Sequence, residues 1–130
     1  MIDRMGRSRL HYAAAANDLR LVRSELDGGA DPNAADSDGF RPLHFAAQQS
    51  AAEAAELLLN AGAEVDATNR HGNTPLFVAV FNSKGDGAAI RLLRVHGADP
   101  SAVNAAGQSP VGLARVIANY PVAQFFADFD

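Results

Sequence analysis

Two histidines at a fixed spacing are the first residues in this sequence that could do chemistry. His11 and His44 lie 33 residues apart, and each is followed by an aromatic residue and two alanines. Imidazole is the commonest metal ligand in proteins and can act as a base near neutral pH. A zinc site needs further ligands, and the sequence has neither Cys nor a His-Glu-x-x-His motif. Because the two residues recur with a period, we interpret them as structural rather than as metal ligands.

An acidic turn and the two other histidines also lack a catalytic setting. The segment 36–39, Asp-Ser-Asp-Gly, resembles the start of a calcium loop, but the twelfth residue counted from Asp36 is Ala47 instead of Glu. We expect a solvated turn there, one residue of which meets a partner. His71 lies in a predicted hairpin tip. His96 precedes a glycine that ends a helix, where a positive charge suits the helix dipole.

No nucleophile with an activating base is visible. The G-x-S-x-G, Walker A and G-x-G-x-x-G motifs are absent. The serines lie at predicted turns and helix ends, where Ser is favoured as a cap. The sequence therefore predicts a protein that is not an enzyme and that holds no cofactor and no metal.

Composition narrows the class of protein further. The 130 residues are 48% hydrophobic and 20% charged, with a formal net charge of −4 and no Cys. These values indicate one globular domain without disulfides, and they argue against a nucleic-acid binder. The apolar runs are too short for a membrane helix, and residues 1–10 lack the apolar core of a secretory signal. We expect a cytoplasmic protein, and ten Arg against one Lys suggest a bacterial source.

The chain is built from units that repeat. Glycines recur at spacings of 33, 33 and 35 residues, at Gly6, Gly39, Gly72 and Gly107. A second marker, Gly-Ala followed by an acidic residue, recurs at 29, 62 and 97 with the same spacings. Two markers in one register predict four units, at about 3–35, 36–68, 69–103 and 104–130, within a single domain.

Each unit has the pattern of two short helices. In the second unit we predict helices over 43–49 and 52–60, with Pro42 in the first turn and Gly62 at the final cap, where φ is positive. Neither helix is long enough to be stable alone, so stacking on neighbouring units must bury their apolar faces. The third unit has two extra residues around 83–87. We interpret them as a tolerated loop insertion, with a partner contact as the alternative.

The repeated segment resembles the ankyrin repeat, whose diagnostic stretch is T-P-L-H-x-A. The corresponding segments here read SRLHYAA at 8–14, RPLHFAA at 41–47, TPLFVA at 74–79 and SPVGLA at 109–114. The resemblance covers about residues 3–127. It implies an all-α ankyrin-repeat solenoid of four helix-turn-helix units with projecting β-hairpin loops. It also implies that His11 and His44 hydrogen-bond to nearby backbone or hydroxyl groups and so fix a turn.

The last unit ends in aromatic residues. Phe125 and Phe126 align with Leu57 and Leu58, and Phe129 follows. A capping unit should be polar outside, so we expect these rings to fold back onto the third unit. The alternative is an exposed patch that pairs with another chain.

The resemblance implies a partner surface made of the hairpin tips and the inner face of the first helices. We predict the partner-binding residues to be Arg4, Met5, Arg7, Ser37, Asp38, Phe40, Gln48, Gln49, Arg70, His71, Asn73, Phe81, Asn82 and Gln108. The same rule places the less distinctive Ala15, Ala16, Ala105, Ala106, Val116 and Ile117 there.

Two of these residues are candidate anchors. Phe40 stands where the other units have Arg7, Asn73 and Gln108, and Phe81 aligns with Ala15 and Gln48. Large apolar residues at places where the fold does not need them favour a binding role. The alternative is that each ring packs on a neighbour within the chain.

Charged residues of alternating sign are spread over the first three units. Arg4, Arg7 and Arg9 lie in the first unit, Asp36 and Asp38 at the second tip, and Arg70 and His71 at the third. Such a surface would orient a charged protein partner, and it suits a phosphate backbone poorly.

The main hypothesis for function is a protein–protein binding module. A free-standing stack of four units fits a bacterial immunity protein that neutralises a cognate toxin by covering its active site, an inference from fold-level analogy. The alternatives are a scaffold or accessory subunit that docks another protein, and a structural protein that self-associates through the C-terminal Phe cluster. We expect a monomer, with weak self-association through that cluster as the alternative.

Overall fold

The computed structural model describes residues 3–117 and 119–129, and within these residues the fold consists of seven α-helices and one 3₁₀ helix. The α-helices are α1 Arg9–Ala15, α2 Leu19–Asp27, α3 Pro42–Gln48, α4 Ala52–Asn60, α5 Pro75–Asn82, α6 Ala88–Val95 and α7 Pro110–Val116, and the 3₁₀ helix is Val122–Phe126. The predicted all-α repeat solenoid is confirmed. Within these ranges the hairpin loops are closed by turns, and no β-strand is formed.

A capping residue precedes the first helix of each unit. In units two, three and four, proline occupies the first position of that helix. Thr74 and Ser109 accept hydrogen bonds from backbone amides in their own first turns. Proline fits the next position because its missing N–H would have no partner there. In the second unit the helix therefore starts at Pro42, one residue before the predicted start, and it ends at Gln48. The second helix, Ala52–Asn60, has the predicted bounds, and Gly62 behind it has the predicted positive φ of 101°.

Two stacks of helices bury the core. α1, α3, α5 and α7 pack in sequence, α2 packs on α4 and α4 on α6, and the 3₁₀ helix packs on α7. Each first helix places an aliphatic residue and an alanine in the core at the repeat period, and these are Leu10, Leu43, Leu76 and Val111 with Ala13, Ala46, Ala79 and Ala114. Small alanine side chains let neighbouring helices approach closely. No helix in the described residues has the length and apolar character that a membrane span requires.

Adjacent hairpin tips are joined by backbone hydrogen bonds. Ser37 N–H donates to the Met5 carbonyl at 2.7 Å, and Arg70 N–H donates to the Asp38 carbonyl at 2.9 Å. The tip is tight because Gly39 has a φ of +80°, and a Cβ there would lie 3.0 Å from the Arg70 nitrogen. The tips therefore form a continuous edge beside the first helices.

The C-terminal aromatic residues fold back onto α6, as expected from the sequence. Phe126 is 1% exposed and takes the core position that Leu58 and Leu93 hold in the preceding units. The Arg91 guanidinium lies 4.6 Å from the Phe125 ring centroid. A Cβ at Gly87 would overlap that same ring. The inserted loop is therefore part of the surface on which the terminal unit packs.

Candidate protein-binding groove

The two recurring histidines join successive units and do not form a metal site. His44 Nδ1 accepts from the Arg41 N–H at 3.1 Å, and its Nε2 lies 2.9 Å from the Asn73 carbonyl oxygen in the next hairpin. His11 makes the equivalent contacts, with the Ser8 N–H and the Phe40 carbonyl, both at 3.0 Å. An amide can only donate and a carbonyl can only accept, so the proton sits on Nε2. The turn-fixing role implied by the resemblance is confirmed.

Burial also keeps these imidazoles neutral. Both are fully buried, and burial lowers the pKa of His44 to about 4. The pKa of His11 is lowered for the same reason. Within 3–117 and 119–129, no group of three His, Cys, Asp or Glu residues could hold a metal ion.

A groove of about 430 Å³ lies between the first helices and the hairpins of units two to four. We call it the central groove. Its lining residues are Phe40, Gln48, Asn73, Phe77, Val78, Phe81, Asn82, Asn104, Gln108 and Leu113. It brings together six of the predicted partner-binding residues, from α3, α5 and three hairpins.

The central groove combines an apolar floor with an uncharged polar rim. Three phenylalanines, a valine and a leucine supply the apolar part, and the five other lining residues are all carboxamides. Phe81 is 69% exposed although it is a large apolar side chain. Phe40 is half-buried because its ring packs against those of His44 and Phe45, with centroid distances of 5.6 and 5.9 Å. Phe40 thus packs on neighbours within the chain and also lines the groove, and its role as a binding anchor stays a prediction.

Four lining residues were not predicted from the sequence. Phe77 stands at the repeat position of His11 and His44, which makes it look like a core substitution. Asn104 belongs to a third periodic marker, three residues before each turn glycine, which also includes Asp36 and Asn69. That marker was available in the sequence, and its side chains accept hydrogen bonds from the hairpin backbone.

Apart from Phe40 and Asn73, the predicted residues of the first three tips lie outside the central groove. Several of their charges are paired within the chain: Arg7 Nε contacts Asp36 at 3.2 Å, and an Arg70 nitrogen contacts Asp38 at 2.8 Å. Met5 accepts from Ser37 through its carbonyl, and Arg4 and His71 are exposed. These ion pairs join adjacent units, which reduces the alternating charge expected to face a partner.

Two smaller depressions extend the surface beside the central groove. One, of about 320 Å³, is polar and includes the predicted Gln49 together with Lys84 and Asp86. The other, of about 200 Å³, shares Phe81 and Leu113 with the central groove and continues toward Ile117 and Tyr120. The apolar part of the surface thus continues from the central groove along units three and four.

The family match agrees with this geometry. The family described as ankyrin repeats (3 copies) matches residues 10–125. No curated protein matches the chain as a whole or in part. The matched segment spans most of the 130 residues and covers all the helices described above except their two outermost residues, Arg9 and Phe126. On that match and on its stacked helix pairs, the chain belongs to the ankyrin repeat family.

Proposed function

We propose that this chain is a protein-binding module whose main contact surface is the central groove. Ankyrin repeats generally serve protein–protein interaction. The observation that carries the proposal is Phe81, which is 69% exposed on the inner face beside other apolar lining residues. An exposed apolar patch with a polar rim is typical of a protein interaction site, and aromatic side chains supply most binding energy in such sites.

The test is capture of a partner from the source organism, followed by affinity measurements with the purified pair. Phe81→Ala should weaken binding at least tenfold, because an exposed aromatic anchor contributes about 2 kcal/mol or more. Val95→Ala is the matched control, since Val95 is 81% exposed but lies on α6, away from the groove lining. Equal affinity of the partner for the wild type and for Phe81→Ala would show that the central groove is not the contact surface.

We infer, more specifically, that the partner is a protein inhibited by being covered, as in a bacterial toxin and its immunity protein. Fold-level analogy supports this role, together with an apolar groove suited to covering a partner's surface. The test is co-expression with the product of an adjacent gene that arrests growth. The wild type and Val95→Ala should restore growth, and Phe81→Ala should not. A partner that is bound without being inhibited would instead indicate a scaffold or accessory subunit.

A further inference from the structure

A polar side-chain pair joins successive hairpins at two of the three unit boundaries. The residue after the turn glycine of one unit contacts the Asp or Asn that begins the next hairpin. At the first boundary this pair is Arg7 with Asp36, at 3.2 Å. At the third boundary the Asn104 Nδ2 donates to the Asn73 Oδ1 at 2.8 Å.

The middle boundary lacks this pair. Phe40 stands at the position of Arg7 and Asn73, and its side chain has no nitrogen or oxygen atom that could pair with Asn69. Asn69 is 6% exposed, and its Nδ2 has no hydrogen-bond partner among the described residues. Its Oδ1 already accepts from the backbone N–H groups of His71 and Asn73, so a flip of the amide would not help. A buried donor without a partner destabilises a fold, so Phe40 is not the residue that this boundary needs for stability.

Phe40 instead contributes to the central groove. Its ring lines the groove together with Phe77 and Phe81. The lining carries no charged residue, which disfavours a charged side chain from a partner because that charge would lose its water. The Gln48 and Gln108 side chains make no hydrogen bonds to described residues, and a carboxamide can both donate to and accept from a polypeptide main chain.

Resting on the proposed function, we propose that the central groove binds an uncharged, extended segment of the partner protein. The segment seats one apolar side chain against Phe40 and Phe81, and its main chain hydrogen-bonds to Gln48 and Gln108. Phe40 is in this sense a specificity-determining residue, present in place of the polar pair that the neighbouring boundaries have.

The first experiment separates the structural effect of residue 40 from binding. Phe40→Asn and Phe40→Ala both remove the ring contacts with His44 and Phe45, but only asparagine offers Asn69 a partner like that of Asn104. Phe40→Asn should therefore unfold at a higher urea concentration than Phe40→Ala. Equal urea midpoints would show that a partner for Asn69 does not stabilise the middle boundary. They would overturn the inference that Phe40 is present there for a reason other than stability.

The second experiment uses a displayed library of random nine-residue peptides as the probe. Peptides enriched on the wild-type protein should share one apolar residue flanked by uncharged residues. Their affinity should fall at least tenfold for Phe40→Asn, Phe40→Ala and Phe81→Ala and stay unchanged for Val95→Ala. Enrichment of charged peptides, or enriched peptides that still bind Phe40→Asn, would overturn the proposal.

The same experiments distinguish an extended segment from a folded partner surface or a second copy of this chain. If no peptide is enriched while a partner captured from cells still loses affinity with Phe81→Ala, the extended-segment proposal fails and the binding function stands. If the protein dimerises in solution and Phe81→Ala abolishes the dimer, the occupant is a second copy of this chain, which also overturns the proposal.

Discussion

His44 is held neutral in the folded chain, and this has a consequence for stability against pH. Burial lowers its pKa from 6.5 to about 4. Between these values the unfolded chain binds a proton that the folded chain does not, so the free energy of unfolding falls as the pH falls from about 6.5 to about 4. Over the whole of this pH range, a pKa shift of this size lowers the free energy of unfolding by about 3 kcal/mol.

Urea unfolding from pH 7 to pH 4 tests this expectation. His44→Gln removes the titrating group, so it should lower stability at pH 7 but give a shallower loss on acidification. Part of the slope should remain, because burial also lowers the pKa of His11. Parallel curves for the wild type and His44→Gln would contradict the assignment.

Gly39 tests the close approach between hairpin tips. Gly39 and Gly107 have nearly the same φ, +80° and +77°, but a Cβ at Gly39 would lie 3.0 Å from backbone atoms of Asn69 and Arg70, whereas none lies within 4 Å at Gly107. Gly107→Ala should lower the free energy of unfolding by about 1–2 kcal/mol through backbone strain alone. Gly39→Ala should lower it by clearly more. Equal losses would show that the tips can separate without a penalty.

Which residues form the groove could be predicted only in part. Phe40 and Phe81 stood out because they break the repeat pattern at positions that the fold does not need to be apolar. Phe77 was missed because a phenylalanine at a histidine position looks like core, and its part in the groove depends on how the units stack. The pairing of Arg7 with Asp36 was also missed, because the alignment between adjacent hairpins decides which charges meet.

At the scale of elements, the inserted loop and the C-terminal cap depend on each other. The Gly87 φ is −92°, so its backbone is accessible to any residue, but a Cβ there would overlap the Phe125 ring. Gly87→Ala should therefore destabilise the wild type by about 1–3 kcal/mol through overpacking. In a Phe125→Ala background the same change should cost clearly less, because the overlap is gone and only the weaker preference for alanine at the N-cap of α6 remains.

A double-mutant cycle measured by urea unfolding gives the coupling between these two positions. Additive effects of Gly87→Ala and Phe125→Ala would mean that the loop does not seat the ring. The loop would then be free for the partner contact that the sequence left open.

Helices were easier to predict than the element that ends the chain. A proline at the first turn and glycines with positive φ behind the second helices are local signals, so the bounds of 52–60 were correct and those of 43–49 were off by one residue. The last unit has a 3₁₀ helix, Val122–Phe126, where its neighbours have an α-helix. Pro121 precedes it, and the segment is fixed by aromatic contacts with α6 that no local pattern shows.

At the scale of the whole molecule, the state of the terminal cap decides whether the chain self-associates. A stack of repeats is stable in solution only if its end units cover the last apolar layer. Here the Arg94 guanidinium carbon lies 5.2 Å from the Phe126 ring centroid. The same guanidinium forms a bidentate ion pair with the Asp128 carboxylate, with N–O distances of 2.6 and 3.0 Å. That arrangement leaves Phe126 inside the core, so the wild-type chain should be a monomer.

Light scattering over a hundredfold range of concentration should therefore give the mass of one chain throughout. Arg94→Glu replaces the ion pair with repulsion and removes the cation above the ring, so the cap should loosen and the mass should rise with concentration. Arg23→Glu makes the same charge change at an exposed site on α2 and should leave a monomer. A concentration-dependent mass for the wild type would restore the self-associating alternative. A monomeric Arg94→Glu would show that helix stacking alone holds Phe126 in place, because the ion pair would then be dispensable to the cap.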